Sequence, residues 1–150
     1  YHNRNQLDSS LEEGAIYHKD INDLFRNSEF LSINCPGSKD TENLINEETI
    51  KNFPDRVVIA NAARGEVIDD DAMIKAMKSG KVFALGLDVY RGEPKINKKY
   101  LDLDNLFLLP HLGSATKKTR IAMGDRAIDN LDVFLNHKRE PKDQVNKINS

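Results

Sequence analysis

The chain has 150 residues, with 22 Lys plus Arg against 24 Asp plus Glu and a net charge of −2. A chain of that length can bury about 70% of the surface its unfolded form exposes, enough for one domain with a core, and near-balanced charge leaves no electrostatic footprint for nucleic acid or an anionic membrane. The single cysteine, Cys35, excludes an internal disulfide framework and points to a reducing, cytoplasmic compartment, and no apolar run approaches the roughly 18–20 residues of a membrane span.

The chain opens on Tyr1-His2-Asn3-Arg4 rather than on Met, with no cap or strand build-up before it, and reads as continuing something longer. Asp20 to Phe25 offers a capped helical turn, and Glu29 to Cys35 a short strand stopped by Pro36-Gly37. Asn46 to Phe53 predicts a short helix ended by Pro54. The run Arg56 to Asn61 is continuously apolar through Val57-Val58-Ile59-Ala60, the pattern of a strand covered on both faces.

Asp69, Asp70 and Asp71 then precede Ala72 to Lys78, with Gly80 just beyond. An acidic start, a basic end and a glycine stop match the helix dipole and the capping rules, so a helix is predicted there. The same three aspartates are read as a capping group, because consecutive helical residues point in different directions; no metal site is expected. Met73 and Met77, four apart, are core packing. Val82 to Val89 and Leu106 to Leu109 are two more apolar strands, separated by a polar loop whose Lys95, Lys98 and Lys99 read as solvated.

From Thr116 the period changes to that of one long helix ending near Asn136-His137. Its Ile121, Ala127 or Ile128, Leu131, Phe134 and Leu135 form an apolar stripe. Lys138 to Ser150 is a polar tail carrying Pro141 and is expected to lack its packing partner. Strand and helix alternate as far as His111, which predicts an α/β fold with a parallel sheet and crossover helices.

Chemistry-bearing residues fall at predicted strand ends: Arg64 after the strand Val57 to Asn61, Glu93 after Val89, and His111 after Leu109-Pro110. In an open parallel sheet such positions project from the carboxyl edge, where ligands bind. His2, His18 and His137 have no comparable context and are expected at the surface. No Gly-x-Gly-x-x-Gly occurs among the eight glycines, so the usual pyrophosphate cradle is absent from these residues.

Three segments give a specific resemblance. They are Asn61-Ala62-Ala63-Arg64-Gly65-Glu66-Val67-Ile68-Asp69, Leu87-Asp88-Val89-Tyr90-Arg91-Gly92-Glu93-Pro94 and Leu109-Pro110-His111-Leu112-Gly113-Ser114-Ala115-Thr116. In order and spacing they resemble the signature segments of the D-isomer-specific 2-hydroxyacid dehydrogenases. Asn43-Leu44-Ile45-Asn46 with Thr49-Ile50 fits the same register, and the chain is most similar to the glyoxylate and hydroxypyruvate reductase group.

The resemblance implies an incomplete Rossmann-like, doubly wound parallel sheet with helices on both faces, followed by a long return helix. Residues 1–115 would be the later portion of the NAD(P)-binding domain, 116–137 the return helix and 138–150 a remnant of the substrate domain. It implies hydride transfer between NAD(P)H and a small 2-keto acid or D-2-hydroxy acid, and a homodimer for the intact protein.

By the same resemblance Arg64 holds the substrate carboxylate through its planar donor fork, and His111 exchanges the proton on the carbonyl oxygen. Glu93 pairs with the imidazole and raises its pKa. Asp88 orients the nicotinamide carboxamide. Cys35, Pro36, Asn61, Ala62, Ala63 and Gly113 join Arg64 and His111 along the cofactor. His2, Asn3 and Arg4, read as the end of a strand at the ribose, offer a cation where an NAD-preferring relative has an acid, so NADP is favoured over NAD. Two alternatives remain open: a dinucleotide-sensing corepressor-type binding protein, and an inactive truncated fragment that binds no dinucleotide tightly.

Overall fold

The computed structural model describes residues 1–145. In chain order the elements are α1 (Ser9–Glu12), α2 (Ile21–Arg26), β1 (Phe30–Ile33), α3 (Glu47–Ile50), β2 (Val57–Asn61), α4 (Asp70–Lys78), β3 (Val82–Leu87), β4 (Leu106–Leu108) and α5 (Lys117–Leu135). Short 3-10 turns cover Gly65–Val67 and Lys98–Asp102. The chain divides into a unit from Tyr1 to Pro110 and a second unit from His111 onward.

Side-chain capping sets the starts of α2, α3 and α4. The Asp20 carboxylate accepts from Asn22 N at 2.9 Å and the Asp69 carboxylate from Ala72 N at 3.0 Å. At α3 the Asn46 side chain accepts from Thr49 N at 3.1 Å while Thr49 Oγ1 accepts from Asn46 N at 2.9 Å, a reciprocal capping box. The helix predicted over Asn46 to Phe53 is shorter in fact: it is helical to Ile50 and continues as turns.

The four strands are parallel and lie in sequence order β1-β2-β3-β4. Parallel crossovers are right-handed, so strands added in one direction place their connecting helices on one face. The core follows from that. Leu31, Ile33, Val57, Ile59, Val82, Leu85 and Leu87 on the strands are buried with Phe25 of α2, Ile50 of α3 and Met73, Ile74, Ala76 and Met77 of α4.

The opposite face has a different composition. Register aligns Phe30 with Val58 and Val58 with Ala84; one step on, Ser32, Ala60, Gly86 and Phe107 form a row across all four strands. Phe30 and Phe107 are 77% and 66% exposed. The sequence reading expects helices on both faces. Within this unit the helices that enter the core share one face, because the strand order contains no reversal to send a crossover to the other.

Two local expectations change. Tyr1 to Arg4 form no strand: the Tyr1 nitrogen donates to Ile16 O at 2.6 Å and Tyr1 O accepts from His18 N at 2.7 Å, but the Asn3 side chain then takes Arg4 N at 2.9 Å and turns the chain. The lysine loop is only partly solvated. Tyr100 is buried in it, donating from its hydroxyl to Asp70 Oδ1 at 3.1 Å, and Lys99 pairs with Asp71 at 2.6 Å.

In the second unit, Thr116 Oγ1 accepts from Thr119 N at 3.1 Å and starts α5. None of that helix's residues is buried, and Ile121, Ile128, Leu131 and Leu135 are each more than half exposed. The described tail carries polar residues, and its Asp143 reaches back to Arg126 and Asn130 of α5. Among the described residues no helix is long and apolar enough to cross a membrane.

Candidate functional site

The carboxyl ends of the strands are tied to one another beyond the ladder itself. Ala62 N donates to Ile33 O at 3.2 Å, Asp88 N to Asn61 O at 3.0 Å, and Leu109 N to Leu87 O at 2.9 Å. The segments leaving β1, β2, β3 and β4 are thereby held side by side, and they carry Cys35-Pro36, Ala62 to Arg64, Asp88 and Leu109-Pro110. His111 follows two residues after Leu109, as the first residue of the second unit.

Asn61 explains how Arg64 is presented. It is the last residue of β2 and is 2% exposed, a polar side chain among core residues. Both ends of its amide are used: Oδ1 accepts from Ala63 N and Nδ2 donates to Arg64 O, each at 2.9 Å. A buried polar group must be satisfied in this way or cost stability, and here the satisfaction folds the next three residues into a tight turn. Arg64 leaves that turn exposed, its Nη1 donating to Ala63 O at 2.6 Å.

Two glycines set the walls around this turn. A Cβ on Gly37, in the segment after β1, would lie 2.9 Å from Arg64 Cγ. A Cβ on Gly65 would lie 2.0 Å from the Tyr90 carbonyl carbon and 2.2 Å from Arg91 N. Backbone therefore meets backbone between the segment after β2 and the segment after β3. Glu93 belongs to the latter: its Oε1 accepts from Tyr90 N at 3.0 Å, across a turn in which Gly92 has φ +75°. The Glu93–Pro94 peptide is cis.

The sequence-predicted residues thus fall into groups. Cys35 and Asp88 are half-buried and Pro36, Ala62 and Arg64 exposed, all on segments leaving the carboxyl edge of the first unit; Asn61 and Ala63 are buried there as turn-builders. Burial raises the Cys35 thiol above its ordinary pKa, which favours the protonated form. His111 is exposed with φ +57°, a left-handed backbone uncommon outside glycine, and Gly113 follows it in the second unit. His2, Asn3 and Arg4 lie in the paired turn at the start of the chain; His2 Nδ1 is 2.9 Å from His18 O.

Sequence reasoning missed several residues that build this site. Gly65, Arg91 and Asn43 stand in the segments that carry the resemblance and Gly37 at a strand stop, but none was given a role there, although a polar Asn closing an apolar strand was a signal that Asn61 shapes a turn. Among the described residues no group of three His, Cys, Asp or Glu side chains is arranged to hold a metal.

A parallel α/β sheet with polar and titratable side chains on the segments leaving its carboxyl edge is the arrangement of a nucleotide-binding domain. The family described as D-isomer specific 2-hydroxyacid dehydrogenase, NAD binding domain, matches residues 1–113, and the chain belongs to that family. Glyoxylate reductase 1 of Saccharomyces cerevisiae is 43% identical over 139 residues, covering 92% of this chain and 39% of its own length.

Among solved structures, a Polaromonas chain described as a D-isomer specific 2-hydroxyacid dehydrogenase superposes with a TM-score of 0.93 at 42% identity, covering 97% of this chain and 46% of that one. The NADPH-dependent glyoxylate/hydroxypyruvate reductase of Sinorhizobium meliloti, in complex with NADP and malonate, gives 0.84 at 30% identity, covering 91% and 42%. The chain spans about two fifths of the length of the curated relatives it matches.

Proposed function

We propose that these residues carry the reacting side of an enzyme that reduces a small 2-keto acid, of the glyoxylate or hydroxypyruvate kind, to the D-2-hydroxy acid with NADPH; NADH is the lesser candidate. The observation that supports it most directly is the presentation of Arg64. A buried Asn61 and the close-packed Gly65 fix its backbone and Gly37 lies against its stem, while the residue stays exposed at the sheet edge. That is the build expected of a carboxylate clamp, since a planar fork binds two oxygens only if its base is held.

The donor set at this edge fits the nicotinamide half of a dinucleotide. Asp88 supplies a carboxylate acceptor for the carboxamide, while the exposed Pro36 and its neighbours after β1 are the candidates for contacts toward the adenosine side. Bound there, the dinucleotide supplies the hydride. Arg64 holds the keto acid's carboxylate and polarises its carbonyl. His111 as imidazolium delivers the proton to the carbonyl oxygen, and Glu93 stabilises that charged ring. Arg4, near the chain's start, is the candidate cation for a 2′-phosphate.

The test is oxidation of NADPH by the complete protein in the presence of glyoxylate or hydroxypyruvate. Arg64→Lys and His111→Asn are each expected to lower kcat/KM by at least about 100-fold, the scale of a lost acid catalyst or bidentate anchor. A complete, folded protein that turns over no small 2-keto acid with either nicotinamide cofactor overturns the reading.

A further inference from the structure

Arg91 lies two residues before Glu93, and its guanidinium, on a side chain 35% exposed, bonds to two backbone carbonyls and to two side chains of the protein. Nη2 donates to Asn43 Oδ1 at 2.6 Å, to Glu66 O at 2.9 Å and to Ile68 O at 3.2 Å, and Nη1 lies 3.6 Å from Glu42 Oε1. These partners come from two separate segments. Asn43 and Glu42 belong to the loop before α3, whereas Glu66 and Ile68 belong to the turn that follows Arg64.

The two segments are already joined. Asn43 N donates to Glu66 O at 2.8 Å, Ile45 N to Val67 O at 3.0 Å and Asp69 N to Ile45 O at 2.9 Å. Arg91 adds the third strand of chain to this junction, the one that carries Glu93. On the far side of the same peptide, Gly65 abuts Tyr90 and Arg91 backbone to backbone. Tyr90 N is in turn the donor that holds Glu93 Oε1.

We propose that Arg91 is a positioning residue: its guanidinium locks the Tyr90–Glu93 turn onto the Asn43 and Glu66–Ile68 segments, and so fixes the direction of the Glu93 carboxylate. The inference rests on the proposed role of Glu93 toward His111. One nitrogen, Nη2, reaches a side-chain acceptor on the first segment and two carbonyls on the second, and the neighbouring Nη1 faces Glu42, so a single side chain bridges both segments. Arg91 touches neither substrate nor cofactor in this scheme. It acts through Glu93, by narrowing the range of carboxylate positions.

The experiment uses the complete protein with Arg91→Met, which keeps the apolar stem and removes the donors, beside Arg91→Lys and Asn43→Gly. Asn43 has φ +51°, so glycine keeps its backbone while deleting the acceptor. Arg91→Met is expected to lower kcat about tenfold, the scale of a modest misplacement of a catalytic group, with KM for the keto acid changed less than twofold. The pH midpoint of kcat for reduction should fall, because a looser Glu93 supports the imidazolium less. Arg91→Lys should lie between wild type and Arg91→Met.

Hydrogen exchange at the Tyr90 amide gives a second reading that needs no turnover: it should accelerate in Arg91→Met while the melting temperature of the protein holds. Unchanged kcat, pH midpoint and Tyr90 exchange overturn the proposal. If Arg91→Met does not fold, Asn43→Gly decides by the same three readouts. If the wild type reduces no keto acid, the proposed function has failed; faster Tyr90 exchange would then leave Arg91 a structural clamp and remove its catalytic purpose.

Discussion

Gly65 and Tyr90 meet backbone to backbone, so closely that a single methyl group on Gly65 would stand 2.0 Å from the Tyr90 carbonyl carbon and 2.4 Å from its oxygen. Neither atom sits on a flexible side chain that could step aside. The contact joins the segment that presents Arg64 to the one that presents Glu93, so their spacing is a backbone property. Gly65→Ala is therefore expected to force these segments apart. It should cost at least about 3 kcal/mol, the upper end of overpacking penalties, with the loss seen as a lower urea midpoint at an unchanged slope. A variant as stable as wild type would show that the two segments can part freely.

Asn61 is the second support of the Arg64 turn, and it acts by hydrogen bonding rather than by space. Replacing it with alanine leaves the buried Ala63 N without its acceptor, while Arg64 O loses one donor and keeps Val67 N at 3.3 Å. An orphaned buried group costs about 1–3 kcal/mol. Asn61→Ala should thus destabilise by roughly 1–3 kcal/mol in chemical denaturation and, in the complete protein, raise KM for the keto acid several-fold because the base of Arg64 loosens. Loss of stability with KM untouched would separate the turn from substrate binding.

How much of this was legible beforehand depended on whether the signal was local. Parallel strands β1 to β4 showed as short apolar runs, and α4 showed through Asp69 and the acid-to-base gradient along it. Arg64, Glu93 and His111 stood out because each is a charged or titratable residue just past an apolar run. Arg91 is charged and just past the same run as Glu93, but its partner is not local: it and Asn43 lie 48 positions apart, and only the folded chain brings Oδ1 and Nη2 to 2.6 Å. Tyr100 misled for a similar reason. Its lysine neighbours make the loop read as solvated, yet the tyrosine hydroxyl finds Asp70 thirty residues away and the ring is buried. The apolar stripe of α5 was read from its period, but periodicity says which face is apolar and not what covers it.

Gly37 offers a milder perturbation of the clamp than either of the first two variants. Its added Cβ would press on Arg64 Cγ at 2.9 Å and on Cβ at 3.3 Å, both near the root of the arginine side chain. The stem must swing, and the guanidinium at its end swings further. Since Arg64 is exposed, little packing is lost, and Gly37→Ala should change stability by less than about 1 kcal/mol, within the usual range for surface sites. In steady-state kinetics of the complete protein kcat/KM for the keto acid should nonetheless fall about tenfold, a misplacement effect. Equal kcat/KM in variant and wild type would mean that Arg64 has room to recover its position.

Asp143 provides a pH-dependent prediction within the second unit. Arg126 holds its carboxylate first, Nη2 donating at 2.9 Å, and Asn130 Nδ2 donates at 2.8 Å; together they depress its pKa from 3.8 to about 2. A carboxylate whose folded pKa is lowered binds its proton less readily folded than unfolded. Its contribution to docking the tail on α5 is therefore complete above the unfolded value of 3.8 and is lost as pH falls toward 2. Carboxyl carbon shifts followed by NMR should show Asp143 titrating near 2 in the wild type and returning toward 3.8 in Arg126→Gln. Because the group is exposed, added salt should move the wild-type midpoint the same way. A midpoint near 3.8 in the wild type at low ionic strength would mean that the tail is not held to α5 by this pair.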